Sequence, residues 1–370
     1  MKTSLLSIAI LGAAFVSCGA DKPVPTVKDH FKNDFLIGAA VPVRLVNGLD
    51  PKADSVITMH FNSIVSENSM KCEKIHPHEY EYNWDDADTF MKYGEDRNMA
   101  IIGHVLVWHS QLAPWFVYDH DGNYVTADVL KERMRDHIHT VVSHYKGRIK
   151  GWDVVNEAIM EDGSYRHSPF YDIIGEEFIP LAFQYAHEAD PDVELYINDY
   201  SMWEEPKRNK YIEIVNDLKA RGLRIDGIGM QSHIALDYPE LSDYEASLKA
   251  FAATGVPVMI TELDMGAIPT IHQSANVSDN VAYREAMNPY KDGLPAEVSQ
   301  RWNERMDSVF DIYKRNADVI SRVTWWGTHD GMSWRNNFPM FGRTDYPLLF
   351  DRNYNMKQFM QDEINNESSK

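Results

Sequence analysis

The sequence predicts a single (β/α)8 barrel, because short apolar segments alternate with helical patterns along most of the chain. The apolar segments have hydrophobic residues at consecutive positions, as expected for parallel strands that are covered on both faces. They are Phe35–Ala39, Ser63–Val65, Ala100–Val107, Ile149–Val155, Glu194–Ile197, Gly227–Met230, Val258–Ile260 and Arg322–Trp325. Helical periodicity lies between them in Val129–Tyr145, Ile174–Glu188, Arg208–Ala220, Tyr244–Ala253 and Ser299–Asn316. Repeated βα units of this kind predict one barrel domain over residues 34–370.

The composition narrows the class of protein. Of 370 residues, 44% are hydrophobic and 25% are charged, which is typical of a globular protein. Lys and Arg number 36 against 56 Asp and Glu, for a net charge of −20. Nucleic-acid binders need a basic face toward the phosphates, so we expect no nucleic-acid partner. The chain has nine Trp and 19 Tyr, whose flat rings suit the faces of sugars as well as hydrophobic cores.

Residues 1–17 predict a secretory signal peptide. Lys2 precedes an uncharged, mostly apolar run from Leu5 to Val16, twelve residues long. Twelve helical residues rise about 18 Å, which is too short for a hydrocarbon core of about 30 Å. The run ends in Phe15-Val16-Ser17-Cys18, which resembles a bacterial lipoprotein processing site with Cys18 as the acylated residue. The alternative is an ordinary signal peptide that is cut near Ser17, with an incidental cysteine after it.

The residues after this segment predict a short tether. Residues 18–33 carry Pro23 and Pro25 among charged side chains and are too few to form a domain of their own. With Cys18 acylated, they would form a lipidated N-terminus. We therefore expect an exported protein that is anchored to a membrane at the cell envelope or cell surface.

Polar and aromatic residues gather directly after the predicted strands or at their last positions. In chain order they are Glu67, Asn68 and Lys71; His104, Trp108, His109 and Gln111; Asn156 and Glu157; Asn198, Asp199 and Tyr200; Gln231, Ser232 and His233; Glu262 and Asp264; and Trp326 and Trp334. The carboxyl ends of barrel strands share one face, and barrel enzymes build their active sites there. The pattern predicts an enzyme.

Two of these residues suggest the chemistry. Glu157 and Glu262 end the fourth and seventh predicted strands and open onto the same face. Hydrolysis of a glycosidic bond uses such a pair, one to protonate the departing oxygen and one to attack the anomeric carbon or to activate water. Taken singly, each could be an ion-paired glutamate at the rim. The sequence has no Gly-x-Ser-x-Gly elbow, phosphate-binding glycine loop or helical metal-ligand spacing, so we expect no cofactor and no metal.

The residues around both glutamates carry a resemblance to a known family. Trp-Asp-Val-Val-Asn-Glu-Ala (152–158) and Ile-Thr-Glu-Leu-Asp-Met (260–265) resemble the acid/base and nucleophile segments of glycoside hydrolase family 10, the endo-β-1,4-xylanases. The resemblance extends in the family's order over roughly 34–362. It includes segments 66–71, 103–111, 198–200, 231–233 and 326–334.

The resemblance implies a retaining endo-β-1,4-xylanase with xylan and xylo-oligosaccharides as substrates. Glu157 would be the general acid/base and Glu262 the nucleophile. Supporting roles would fall to Asn156, which would bind the sugar 2-hydroxyl, and to Gln231, His233 and Asp264, the last two keeping Glu262 charged and oriented. Substrate-binding roles would fall to Glu67, Asn68, Lys71, His104, Trp108, Gln111, Tyr200, Trp326 and Trp334. Trp326 and Trp334 would crowd carbon 5 of the sugar, which favours xylose over glucose.

Two alternatives to a xylanase are consistent with a barrel of this kind. One is another retaining β-1,4-glycanase, such as a cellulase or a mannanase. The other is a surface glycan-binding lipoprotein that lost catalysis, although such a protein would normally show a replaced carboxylate.

The lipoprotein interpretation predicts the behaviour of the Cys18→Ala variant. Without the thiol no lipid can be attached, so the enzyme should stay active and leave the membrane fraction. Stable anchoring needs more than one acyl chain, because a single chain binds membranes only marginally. Fractionation after a salt wash provides the measurement, and a variant that still sediments with membranes would contradict the anchor.

Overall fold

The chain folds into the predicted barrel, in a computed structural model that describes residues 25–268 and 285–367. The strands are β1 Leu36–Val41, β2 Ser63–Ser66, β3 Ala100–Val107, β4 Gly151–Asn156, β5 Glu194–Asp199, β6 Gly227–Met230, β7 His233–Ala235, β8 Val258–Gly266 and β9 Ile320–Trp325. Strands β1 to β6 pair in order, β6 pairs with β8, and β8 pairs with β9, always in parallel. The sheet closes because β9 pairs with β1. The predicted (β/α)8 fold is confirmed.

Helices cover the outside of the sheet. Their bounds are α1 Val27–His30, α2 Val43–Val46, α3 Pro51–His60, α4 Cys72–Ile75, α5 Asp85–Asp96, α6 Ala127–His144, α7 Pro169–Ile174, α8 Phe178–Ala189, α9 Glu205–Ala220, α10 Leu241–Ala252, α11 Ala296–Arg315 and α12 Gln358–Glu367. Side-chain caps begin several of them; Asp50, for example, accepts a hydrogen bond from the Ala53 N–H at the start of α3. No helix in the described part of the chain is long and apolar enough to cross a bilayer.

Two predicted elements differ from the structure. The predicted helix Ile174–Glu188 is broken, because α7 ends at Ile174 and Gly175 adopts a φ of +79° before α8 begins. The predicted strand Val258–Ile260 continues to Gly266, because its second half pairs with the short strand β7. Glu262 and Asp264 therefore lie within a strand and not after one, which fixes the directions of both side chains.

The interior of the barrel is filled by side chains from several strands. A buried cluster of Ala40, Val65, Ile102, Tyr196 and Met259 packs under Trp326. The larger core lies between the sheet and the helices. Trp326 is also part of the predicted site, so the packed interior forms the floor beneath it.

Residues 1–24 fall outside the described part of the chain. The predicted signal peptide and Cys18 lie there, as do residues 18–24 of the predicted tether, whereas Val27–His30 of the tether form helix α1. The lipid anchor and the predicted domain bounds consequently stay predictions.

The close approach of β3 to β4 predicts a strong effect of Gly103→Ala. A Cβ at this position would lie 2.2 Å from a ring carbon of Trp152. Overpacking of this kind typically costs about 1–3 kcal/mol of stability. Urea unfolding of both single variants and of the double variant with Trp152→Leu supplies the test. In the Trp152→Leu background the alanine should cost little, and equal costs in both backgrounds would contradict the clash.

Candidate active site

The residues at the carboxyl ends of the strands form one cleft of about 540 Å³. It is lined by Glu67, Asn68, Lys71, His104, Trp108, Gln111, Asn156, Glu157, Gln231, His233, Glu262, Trp326 and Trp334. The sequence analysis singled out each of these residues. Of the other two predicted site residues, Asp264 lies directly behind His233, whereas Tyr200 does not reach the cleft.

Glu157 is held by neutral hydrogen-bond donors. Its Oε2 accepts from the Trp108 indole N–H at 2.8 Å. Its Oε1 accepts from the Gln231 amide at 3.1 Å and from the Asn156 amide at 3.3 Å. The side chain is 6% exposed, and the residue has a φ of +58° immediately after β4. The carboxyl group is therefore fixed by groups that carry no charge of their own.

Glu262 has a different environment. Its Oε1 accepts from the Asn198 amide at 2.9 Å, and its Oε2 is 3.2 Å from His233 Nε2. Burial alone would raise the pKa of Glu262, but the hydrogen bond from His233, the charges of His104 and His233 and the Asn198 amide together hold it below its usual range. Glu262 is thus kept ionised although it is only 5% exposed.

A second carboxylate, Asp264, stabilises the protonated form of His233. Burial would lower the pKa of His233, but Asp264, 3.1 Å from Nδ1, together with Glu262 raises it to about 9. Asp264 in turn accepts from the Trp334 indole N–H and from Arg335 Nε, both at 2.7 Å. Charges alternate in sign along Glu262, His233, Asp264 and Arg335, so each buried ion faces an opposite one.

A bridge of amide side chains joins the two glutamates. Asn156 Oδ1 accepts from the Asn198 amide at 3.0 Å and from the Gln231 amide at 3.1 Å. The Asn198 amide also donates to Glu262, and the Gln231 amide also donates to Glu157. The bridge sets the two carboxyl groups relative to one another without adding charge.

Some of these supporting residues were not predicted. Asn198 was named only as one of the polar residues after the fifth predicted strand, without a role, and Thr261, which donates to Asn198 Oδ1 at 2.6 Å, had no signal of its own. Arg335 was likewise not singled out, and its only sequence signal is its position next to Trp334. Their roles depend on contacts between strands, which a linear pattern does not contain.

One side of the cleft is a polar patch. Lys71 Nζ donates to Gln111 Oε1 at 2.7 Å and to Asn68 Oδ1 at 3.2 Å, and it lies 4.9 Å from the centre of the Trp108 ring. Burial lowers the pKa of Lys71 and raises that of Glu67, and the attraction between the two charges opposes both shifts. Such mixed donors and acceptors beside an aromatic ring suit the hydroxyl groups of a neutral sugar.

His104 forms part of the cleft floor. Its Nδ1 lies 2.9 Å from Asp153 Oδ2, and its ring meets Trp326 edge to face at 5.4 Å. Asp153 in turn lies 3.7 Å from the buried guanidinium of Arg322 inside the barrel. Neither Asp153 nor Arg322 was predicted as a site residue, and together they orient His104 from below.

Tyr200 was expected to contact substrate, but the structure places it behind the wall of the cleft. It is 1% exposed, and its hydroxyl accepts from Arg166 Nη2 at 2.6 Å. The ammonium group of Lys207 lies 4.0 Å from the centre of its ring. The two cations hold the ring in the layer beneath Glu157, so it does not line the cleft.

The geometry supplies two carboxyl groups in different electrostatic environments on one face of a cleft that suits hydroxyl groups. Within residues 25–268 and 285–367, no cluster of His, Cys, Asp and Glu is arranged to hold a metal ion. The two carboxyl groups can supply acid–base and nucleophilic catalysis.

Comparison with known proteins identifies the family. The model of Glycosyl hydrolase family 10 matches residues 26–365. The chain belongs to this family. The family resemblance of the sequence motifs is thereby confirmed.

Two curated relatives and one solved structure match this family 10 chain along nearly their full length. Endo-1,4-beta-xylanase A from Xylanibacter ruminicola is 50% identical over 342 residues, which cover 92% of this chain and 93% of the relative. An endo-1,4-beta-xylanase from Geobacillus stearothermophilus is 39% identical over 345 residues, covering 90% and 96% respectively. The solved structure of an endoxylanase of this family, from a sugarcane soil metagenome, superposes with a TM-score of 0.88 at 41% identity and covers 92% of this chain and 99% of that one.

The pairing of Glu262 with His233 predicts a pH dependence. His233→Asn removes a positive charge and a donor from Glu262, so the pKa of this carboxyl should rise toward the value set by burial. The acidic limb of kcat/KM on an aryl glycoside should then move to higher pH, because Glu262 must be ionised to react. His144→Asn, on the outer face of α6, is the matched control and should leave the profile unchanged. An acidic limb that stays in place in His233→Asn would contradict this role.

Proposed function

We propose that the protein is an endo-β-1,4-xylanase, which cleaves internal β-1,4-xylosidic bonds of xylan with retention of anomeric configuration. The observation that carries the proposal is the pair Glu157 and Glu262, which share one cleft and one amide bridge while only Glu262 faces a cation directly. Family membership supports the reaction class. The names of the relatives support the substrate, as does a mutant of a Thermoanaerobacterium saccharolyticum xylanase solved in complex with xylotriose, which is 33% identical to this chain.

The environments of the two carboxyl groups support their separate roles. Glu262 faces His233 and has a lowered pKa, which suits a nucleophile that must be ionised. Glu157 contacts only neutral donors through its carboxyl oxygens, which suits a group that alternates between protonated and ionised forms. We therefore assign Glu262 as the nucleophile and Glu157 as the general acid/base.

The reaction then runs in two displacements. In the first, a Glu262 oxygen attacks the anomeric carbon while the Glu157 proton passes to the departing glycosidic oxygen, leaving a glycosyl ester on Glu262. In the second, Glu157 takes a proton from water, the water oxygen attacks the anomeric carbon, and the ester bond breaks. The two inversions restore the β configuration. Asn156 is placed beside both carboxyl groups, where its amide can also bind the 2-hydroxyl of the sugar.

The rest of the cleft supports binding of a xylose chain. Glu67, Asn68, Lys71, His104 and Gln111 provide hydrogen-bonding groups for sugar hydroxyls on the non-reducing side. Trp326 and Trp334 line the cleft, and in the proposed binding mode their bulk would crowd a hydroxymethyl group at carbon 5. Xylose carries only hydrogen there, so this argument favours xylan over cellulose. The presence of both carboxyl groups argues against a non-catalytic glycan-binding protein.

We also propose that the enzyme is exported and tethered to a membrane through Cys18. The support is the sequence pattern alone, since Cys18 lies outside the described residues.

A reducing-sugar assay on three polysaccharides tests the proposed function. The enzyme should release reducing ends from xylan and much less from carboxymethyl cellulose or mannan, because the two tryptophan walls disfavour hexoses. Preferential hydrolysis of either of the other polymers would replace the xylanase assignment with another β-1,4-glycanase. Glu262→Gln, which keeps the shape of the side chain, is the matched inactive control.

The separate roles of the glutamates predict opposite azide products. In Glu157→Ala, an aryl xylobioside with an acidic phenol needs little protonation, so the glycosyl-enzyme should accumulate with a burst and a low apparent KM. Azide needs no general base and should rescue this variant, giving the β-glycosyl azide. In Glu262→Ala, azide can enter only the empty place of the nucleophile and should give the α-glycosyl azide. Exchanged anomers between the two variants would reverse the assignment.

A further inference from the structure

Glu157 occupies a backbone turn that needs external support. Its φ of +58° lies in the left-handed region, which is unfavourable for a residue with a side chain. Its N–H donates to the Asn198 carbonyl at 2.9 Å, which fixes only one side of the turn. The direction of the carboxyl group therefore depends on whatever holds the peptide groups that follow.

Arg166 holds the next two carbonyl groups. Its Nε donates to the Glu157 carbonyl oxygen at 2.8 Å, and its backbone N–H donates to the Ala158 carbonyl oxygen at 2.8 Å. Its Nη2 donates to the Tyr200 hydroxyl at 2.6 Å. Because the guanidinium is planar and Arg166 is 7% exposed, its donors have fixed directions. Arg166 thus ties the Glu157 carbonyl group to the layer beneath the cleft.

A buried carboxylate holds the N–H groups of the same turn. Asp199 Oδ2 accepts from the Ile159 N–H at 3.4 Å and from the Tyr211 hydroxyl. The Tyr211 hydroxyl also accepts from the Ala158 N–H at 3.2 Å. Lys207 Nζ lies 2.9 Å from Asp199 Oδ1, and both side chains are fully buried. Tyr211 and Lys207 both belong to α9, so this helix anchors the turn through Asp199.

None of these side chains lines the cleft. Buried ions are costly unless their partners are well placed, and apolar residues would fill the same volume at lower cost. What the ions and the tyrosine add is direction, since Arg166, Asp199 and Tyr211 each bond to peptide groups at or just after Glu157. Lys207 in turn holds Asp199 in place. Glu262 takes its contacts from His233 and Asn198, so the four side chains act on one glutamate and not on the other.

We propose that Arg166, Asp199, Lys207 and Tyr211 are positioning residues for the general acid/base. They hold the left-handed turn so that the Glu157 carboxyl meets the departing oxygen at the angle required for proton transfer. The inference rests on the proposed glycosidase function and extends it to residues outside the cleft. Its consequence is that loosening the turn impairs protonation of the leaving group while nucleophilic attack by Glu262 continues.

Two aryl β-xylobiosides separate these effects, one with an acidic phenol and one with a weakly acidic phenol. For both substrates kcat/KM reports the first displacement, but only the substrate with the weakly acidic phenol requires protonation of the departing oxygen. For Tyr211→Phe and Arg166→Lys, kcat/KM on the weakly acidic substrate should fall about 10- to 100-fold relative to the acidic one, as expected for a misplaced catalytic acid. The ratio of the two values does not depend on the fraction of enzyme that is folded, so partial unfolding cannot produce the effect.

Two further variants calibrate the measurement. Glu157→Gln should give the limiting ratio for loss of the acid. Tyr93→Phe, which removes a tyrosine–carboxylate hydrogen bond to Asp54 between outer helices, should keep the ratio of the unmodified enzyme. Equal losses on both substrates in Tyr211→Phe and Arg166→Lys, or an unchanged ratio, would overturn the inference. If the unmodified enzyme hydrolyses neither xyloside, it is the proposed function that fails.

Discussion

The site depends on keeping one buried carboxylate charged. Glu262 is 5% exposed, and a carboxylate in such a place would normally take up a proton. The structure prevents this with His233, which is itself kept charged by Asp264, and Asp264 is neutralised in turn by Arg335. Removing His233 would leave Glu262 buried without its paired cation, so the charge of the nucleophile depends on this series.

This requirement explains much of the local architecture. Strand β8 continues past the barrel to pair with β7, and their register places His233 opposite Asp264. The pairing brings the histidine and its carboxylate onto adjacent strands at a fixed separation. The Trp334 indole, which also hydrogen-bonds Asp264, connects the charge series to the aromatic wall of the cleft. Nucleophile charge and substrate shape are therefore supported by the same residues.

The other glutamate, Glu157, has no cation bound directly to its carboxyl group among the described residues. The carboxyl group of Glu157 accepts from neutral donors in the cleft, while the charged side chains of Arg166, Asp199 and Lys207 support the backbone behind it. In the proposed reaction it must give and take a proton, and a directly paired cation would favour its ionised form throughout. Ionic side chains hold the backbone of Glu157, and neutral side chains hold its carboxyl group. The position of Glu157 is therefore fixed without a cation that would favour its ionised form. The amide bridge through Asn156 then holds the carboxyl group of Glu157 at a fixed distance from that of Glu262.

The sequence by itself predicted the barrel and the thirteen side chains that line the cleft, Glu157 and Glu262 among them. It could do so because strand periodicity is local and because parallel strands bring their carboxyl ends to one face. Tertiary structure alone decided the extension of β8, the burial of Tyr200, and the roles of Asn198, Thr261, Arg166 and Arg335. Each of these depends on which residues from distant parts of the chain meet, and side-chain partners across strands leave no periodic trace in the sequence. Tyr200 shows the difference most plainly, since its place after a strand predicted a cleft residue, whereas Arg166 and Lys207 hold its ring beneath Glu157.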